Sequence, residues 1–179
     1  MYHYRDGLLS NRLSTRFLTE SDIASLTPFF EDEEAPKFIP FYDFPTPALR
    51  ARYMIEKQIW RYSEQRYGLQ ALIRIEDQVF VGMCGLLLQD VDGNQEVEIG
   101  YHLLPQFWNM GYASEAARLF KLYAFSENKS PSIISIIDIN NVRSHRVAEA
   151  NGMTRDRFLR WNDWDVVIYR TPLEVPKTP

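Results

Sequence analysis

The residues Trp108-Asn109-Met110-Gly111-Tyr112-Ala113 join an apolar strand pattern to an amphipathic helix pattern. Upstream, Val97-Glu98-Ile99-Gly100-Tyr101-His102-Leu103-Leu104 is rich in β-branched and aromatic residues, as a buried strand is. Downstream, Ala113, Ala116, Ala117, Phe120 and Ala124 recur at helical spacing. A helix that opens at Gly111 directs free N–H groups, and the positive end of its dipole, back toward the strand's end. Such a turn suits an anion, phosphate above all. Gly111 lets the backbone approach closely, and Ala113 keeps the helix mouth narrow. One glycine at a strand–helix junction also fits an ordinary loop, so the rest of the chain has to decide.

The order of strand, polar turn and helix repeats further along. Ile133-Ile134-Ser135-Ile136-Ile137 reads as a second buried strand, and Asn140-Asn141-Val142-Arg143-Ser144-His145-Arg146-Val147-Ala148-Glu149-Ala150-Asn151-Gly152-Met153 follows it. Asn141 can cap this helix with Ser144 in its first turn, and Gly152 after Asn151 stops it. Together the two segments resemble the GCN5-related N-acetyltransferases, the GNAT superfamily. Trp108 to Ala113 is similar to that family's pyrophosphate loop, patterned Gln/Arg-x-x-Gly-x-Gly/Ala. Asn141-x-x-Ser144-x-Arg146-Val147, closing at Gly152-Met153, is similar to the next motif of its ribosomal-protein N-terminal, or RimJ/RimL-like, branch. Leu13 to Asp22 resembles the opening strand and the turn into the first helix, Val81 to Leu86 the third strand, and Asp165 to Arg170 the last. Two positions depart from the wider pattern. Trp108 stands where the superfamily has Gln or Arg, although an aromatic residue is common there in the branch resembled. Ala148 stands where many members carry a tyrosine that protonates the leaving thiolate, so by resemblance that role falls to Ser144.

Periodicity and turn residues predict a strand near 13–18, a helix over 20–31 with Thr19 and Asp22 as a capping box, and a long helix over 46–66. In the long helix Leu49, Tyr53, Ile55 or Lys57, Ile59 or Trp60 and Tyr67 give a loose apolar stripe. Strands follow near 69–75, 79–88 and 95–104, turned at Glu76-Asp77-Gln78 and Asp92-Gly93-Asn94. Then come a helix over 111–127, a strand over 132–138, a helix over 141–151, and strands near 153–160 and 164–171 around Asn162-Asp163. This order gives an α+β fold, a mixed and mostly antiparallel sheet with helices on both faces. The resemblance adds a splayed central strand pair.

A chain of 179 residues, 45% hydrophobic and 14% aromatic, suits a single domain over 1–179 with a structured core of 12–172. Its one cysteine, Cys84, lies in an apolar strand and reads as core. Met1 to Ser10 lacks the apolar centre of a signal peptide, and no window approaches the roughly 20 apolar residues of a membrane span. A cytoplasmic protein with no membrane partner is therefore expected. The net charge of −4 argues against a nucleic-acid partner and fits an amine-bearing one. The oligomeric state stays open, a homodimer included.

The resemblance implies acetyl-coenzyme A as donor and no metal. Its diphosphate would accept hydrogen bonds around Trp108, Asn109, Met110, Gly111, Tyr112 and Ala113. Its pantetheine arm could pair like an added strand with the backbone of His102, Leu103 and Leu104, where strands 97–104 and 133–137 part. An N–H near Leu103 would then polarise the thioester carbonyl. Direct transfer to a primary amine needs a proton acceptor and a proton donor. Glu98 leads as base, because burial raises a carboxylate's pKa, and Glu96 on the same strand face is next. Either could instead pair with basic residues of the sheet. Ser144 is the candidate acid, or alternatively a helix-capping or cofactor contact, and Asn141 a cap that orients the ligand.

His102 and His145 lie on different elements with no third ligand in view, which disfavours a metal site. Phe38, Phe41, Tyr42 and Phe44 follow the acidic run Glu31-Asp32-Glu33-Glu34 in a proline-containing loop. They either receive a cationic amine or pack into the core. Trp60, Trp161 and Trp164 read as structural, the last two flanking the closing hairpin near the expected cleft. The expected activity is acetyl transfer to a protein or peptide N-terminus. A small-molecule amine such as an antibiotic or polyamine, or a non-catalytic acyl-coenzyme A binding module, are the alternatives.

Overall fold

The computed structural model describes residues 4–39, 44–127 and 130–172, so Phe41 and Tyr42 of the aromatic loop lie outside the described residues. Strand β1 (Leu13–Arg16) leads through a 3-10 turn (Glu20–Asp22) to helices α1 (Ile23–Glu31) and α2 (Pro47–Ser63). Strands β2 (Leu69–Arg74), β3 (Phe80–Val91) and β4 (Asn94–Leu103) follow, then α3 (Tyr112–Ser126), β5 (Ser132–Asp138) and α4 (Val142–Ala150). A hairpin of β6 (Thr154–Trp161) and β7 (Trp164–Pro172) closes the fold. The strands form one 7-stranded sheet in the order β1-β2-β3-β4-β5-β7-β6, antiparallel except between β4 and β5. The α+β reading of the sequence holds.

Why the strands run where they do follows from burial and turn chemistry. Leu69 to Ile73 of β2 and Phe80 to Leu86 of β3 are buried without interruption, as strands are when helices cover both faces. β6 instead alternates between exposed and half-buried and marks the uncovered end of the sheet. The β3–β4 turn has φ of 53° at Asp92 and 78° at Gly93, and the β6–β7 turn has 47° at Asn162 and 66° at Asp163. Two successive positive φ angles match the twist of the flanking strands, and Gly, Asn and Asp are the residues that tolerate them.

Three expectations are corrected. The helix over 20–31 divides at Asp22, whose carboxylate accepts the Thr19 N–H at 2.8 Å and two Arg16 nitrogens at 2.8 and 2.6 Å. The inward face of α2 is Ala51, Ile55 and Gln58, whereas Leu49 is 41% exposed. That stripe is hard to see in the sequence because one member is polar. Gln58 is buried as a bridge, its amide oxygen accepting the Leu69 N–H at 2.9 Å. Trp60 lies at the surface under the Arg66 guanidinium, while Trp161 and Trp164 pack on a small cluster of Val91, Ile134, Val166 and Ile168 and do not line the cleft.

The parallel pair carries the site. β4 and β5 are in register at one position, Glu98 opposite Ile134, and part beyond it, while β5 pairs with β7 over its whole length. At the point of parting, side chains replace ladder bonds. The Glu98 carboxylate accepts the Ile136 N–H at 3.3 Å, and the Ser135 hydroxyl donates to the Ile99 carbonyl at 3.1 Å. The gap is thus a satisfied structure and not a frayed ladder.

Candidate active site

Beyond Glu98 the parted strands open a cavity of about 490 Å³, lined by α1, β4, β5, the loop before α3 and the first turns of α3 and α4. Strand alternation sorts its edge. The Leu104 N–H donates to the Val81 carbonyl at 3.0 Å, so Leu104 and, by alternation, His102 and Gly100 turn their backbone groups toward β3. Tyr101 and Leu103 turn theirs into the gap, where the Leu103 carbonyl accepts the Trp108 indole N–H at 2.8 Å. The expected backbone contacts from His102 and Leu104 are therefore corrected: those amides are engaged within the sheet. The edge that faces the gap is Tyr101 and the N–H of Leu103. Trp108, the departure from the wider family pattern, ties the following loop to that edge.

The loop then makes two left-handed steps, Asn109 at φ 60° and Gly111 at φ 80°. Gly111 serves as the N-cap of α3, so the helix starts at Tyr112. With no side chain at Gly111, no cap hydrogen bond forms, in contrast to Thr46 before α2 and Asn141 before α4. Tyr112, Ala113 and Ser114 line the cavity with the first turn of that helix. The uncapped helix start thus turns free N–H groups and the positive end of its dipole toward the cavity.

Arg12, outside every motif read from the sequence, holds the loop from behind. Its guanidinium donates to the Met110 carbonyl at 3.0 Å, pairs with Glu115 at 2.7 Å and lies 4.3 Å from the centre of the Tyr112 ring. The Ser10 hydroxyl donates to the same Glu115 carboxylate at 2.7 Å. Because Arg12 shapes the loop, Arg12→Ala is expected to raise the KM for acetyl-coenzyme A about threefold and leave kcat unchanged. Steady-state kinetics check this, and a fall in kcat at constant KM would contradict it.

Glu98 is 8% exposed, with Gln89 donating to one carboxylate oxygen at 2.6 Å and the Ile136 N–H to the other. Burial pushes its pKa up to about 7, although the Gln89 and Ile136 hydrogen bonds and the charge of Arg61 pull the other way. Near neutral pH such a group both takes and gives a proton. Glu96 shares the strand face but is held by Arg170 at 3.0 and 2.6 Å, and Arg170 also meets Asp156 and Ser132. It is a sheet ion pair.

Ser144 lines the cavity from the first turn of α4, its N–H donating to the Asn141 side chain at 3.2 Å. The Tyr101 hydroxyl donates to the Ser144 carbonyl at 3.1 Å and so fixes α4 to β4. Ala148 is buried on α4 at 2% exposure and brings no hydroxyl. His145 places one ring nitrogen 3.3 Å from the Ile139 carbonyl, its ring against Tyr169. Across the cavity mouth, the Arg143 guanidinium lies 4.0 Å from the Trp108 ring centre and 4.0 Å from the Glu34 carboxylate. Phe38 lines the cavity, whereas Phe44 packs on Tyr53.

Residues 12–154 match the acetyltransferase (GNAT) domain family, and the chain belongs to it. The uncharacterized protein YkkB of Bacillus subtilis (strain 168) is 30% identical over 159 residues, 87% of this chain and 90% of its own length. A GNAT-family acetyltransferase from Bacillus anthracis superposes with a TM-score of 0.75 at 26% identity, covering 92% of this chain and 97% of that one. RimL, the ribosomal L7/L12 alpha-N-protein acetyltransferase solved with coenzyme A, shares the fold at 16% identity and a TM-score of 0.75 over 92% and 96% of the two chains. The protein is an N-acetyltransferase that uses acetyl-coenzyme A.

Proposed function

We propose that this enzyme acetylates the α-amine of a protein or peptide N-terminus, in the manner of the RimJ/RimL-like branch, with Glu98 as base and Ser144 as acid. Acetyl-coenzyme A supplies an acetyl group on a sulfur that departs as a thiolate. The uncapped α3 N-terminus and the glycine step before it suit a diphosphate, held by the backbone of Trp108 to Ala113. The gap-facing edge at Tyr101 and Leu103 suits the amide-bearing arm, and the Leu103 N–H the thioester oxygen. As the C–N bond forms and the C–S bond breaks, Glu98 takes the amine's proton, and Ser144, positioned by Asn141, passes a proton to the sulfur and recovers one from solvent.

One observation carries the choice of acceptor: Asn141 and Ser144 keep the spacing of the branch motif, the Asn141 side chain accepting the Ser144 N–H at 3.2 Å. On β4, burial raises the Glu98 pKa to about 7, which suits an α-amine of pKa near about 8. Ser144→Ala tests the acid. The expected result is a loss of about tenfold in kcat, one charge-assisted hydrogen bond, with the KM for acetyl-coenzyme A unchanged. Unaltered kcat on a peptide acceptor would remove Ser144 from that role.

A further inference from the structure

We infer that the amine accepted here is carried on an apolar group and brings no second positive charge: an α-amine whose own side chain is aliphatic or aromatic. The inference deepens the N-terminal reading above and rests on it.

Alternation along β4 puts Glu98, Gly100 and His102 on one face of the sheet, and the register puts Leu87 of β3 beside Glu98 on that face. The Phe29 ring centre lies 5.9 Å from that of His102, so α1 covers the same face. These residues, with Phe38 and Ile39 from the segment after α1, line one side of the cavity. At Gly100 an added Cβ would come within 3.2 Å of a Leu87 methyl and 3.3 Å of a Leu69 methyl, so these leucines form an apolar floor over the strand. A substrate side chain in the cavity would lie against Leu87, Phe29, Phe38 and Ile39. His102 adds no charge at neutral pH, because burial pushes its pKa down to about 4.

The acids of the cavity leave little for a second ammonium. Glu98 is assigned to the reacting amine. Glu34, at the rim, already meets Lys37 at 3.3 Å and Arg143 at 4.0 Å. Asp138 is at the end of β5, on the opposite strand of the gap from Leu87 and Glu98, and one of its oxygens accepts the Asn140 N–H at 2.8 Å. Lys37 also stands 6.0 Å from the centre of the Phe38 ring, so a cation beyond the first amine meets like charge. In the same acidic run as Glu34, Asp32 accepts the Glu34 and Ala35 N–H groups at 2.9 and 2.8 Å.

The test is a panel of short peptides sharing one tail and differing in the first residue: Phe, Leu, Ser, Asp or Lys. All present α-amines of similar basicity, so differences in kcat/KM report the pocket. Phenylalaninamide and leucinamide separate a free amino-acid source from a peptide, and spermidine tests a polyamine. Phe- and Leu-initiated acceptors are expected to exceed Ser-, Asp- and Lys-initiated ones by about tenfold or more in kcat/KM. Leu87→Asn is expected to shrink that margin by raising the KM of the Phe and Leu acceptors. Calorimetry on the coenzyme A complex should show the same preference in binding. Comparable rates for the Lys or Ser peptides would overturn this inference alone, whereas a preference for spermidine would overturn the N-terminal reading as well. Absence of transfer to every α-amine would overturn the N-terminal reading and this inference with it.

Discussion

Replacing Glu98 with Gln is expected to lower kcat on a peptide acceptor by about 10²- to 10⁴-fold, the usual share of a positioned general base. Affinity for acetyl-coenzyme A, measured by titration calorimetry, should stay within about twofold, because the diphosphate loop is on a separate element. The pH profile gives the sharper readout. Only the ionised carboxylate accepts a proton, and burial has raised its pKa to about 7. Activity of the wild type should therefore fall as pH drops through neutrality, and Glu98→Gln should lose that limb. Gln89→Leu should move the same limb upward. The Gln89 amide donates to the carboxylate at 2.6 Å and favours the charged form, so removing it leaves more Glu98 protonated at pH 7. Near about pH 9 the variant should approach wild-type kcat, since Glu98 is then ionised in both. A Gln89→Leu enzyme equally impaired at all pH values would show that Gln89 supports the fold and does not tune the base.

The difference between Glu98 and Gln89 illustrates what can be read from a one-dimensional string. The strand carrying Glu98, the helix after Gly111 and the cap at Asn141 all rest on local signals: apolar periodicity, a glycine at a turn, an Asn three residues before a Ser. Each appears in the structure within a residue or two of its expected place. Gln89 and Glu98 are neighbours only because the β3–β4 register sets Gln89 diagonally across from Glu98. Arg12 reaches Met110 and Glu115 across most of the chain, and Ser135 reaches Ile99 across the parting strands. No spacing rule encodes such contacts. The backbone polarity of β4 was hidden for the same reason. His102, Leu103 and Leu104 form one apolar run in sequence, and only the bond from Leu104 to Val81 shows which residues face the gap. Glu96 shares the strand face of Glu98 and followed it as a candidate base. What separates them is Arg170, from the other end of the chain.

At Gly111 three substitutions separate shape from charge. The residue has φ of 80°, a conformation that a β-branched side chain resists but Asn and Asp accept at modest cost. Gly111→Val should weaken acetyl-coenzyme A binding by distorting the loop. Gly111→Asn should keep affinity within about threefold of wild type. Gly111→Asp has nearly the shape of the Asn variant and differs by a negative charge set against the diphosphate. Its affinity should fall on the order of a hundredfold below that of Asn. Arg12 does not offset this, although its guanidinium lies 3.4 Å from where the new Cβ would stand, because Glu115 already pairs with it at 2.7 Å. A carboxylate that drew Arg12 away would release the Met110 carbonyl and loosen the loop further. Calorimetry with acetyl-coenzyme A at low and high salt distinguishes the causes. Screening should narrow the gap between the Asp and Asn variants and leave the deficit of the Val variant unchanged. Equal affinities for Asp and Asn at low salt would place the diphosphate away from this turn, and with it the donor's position in the gap between β4 and β5.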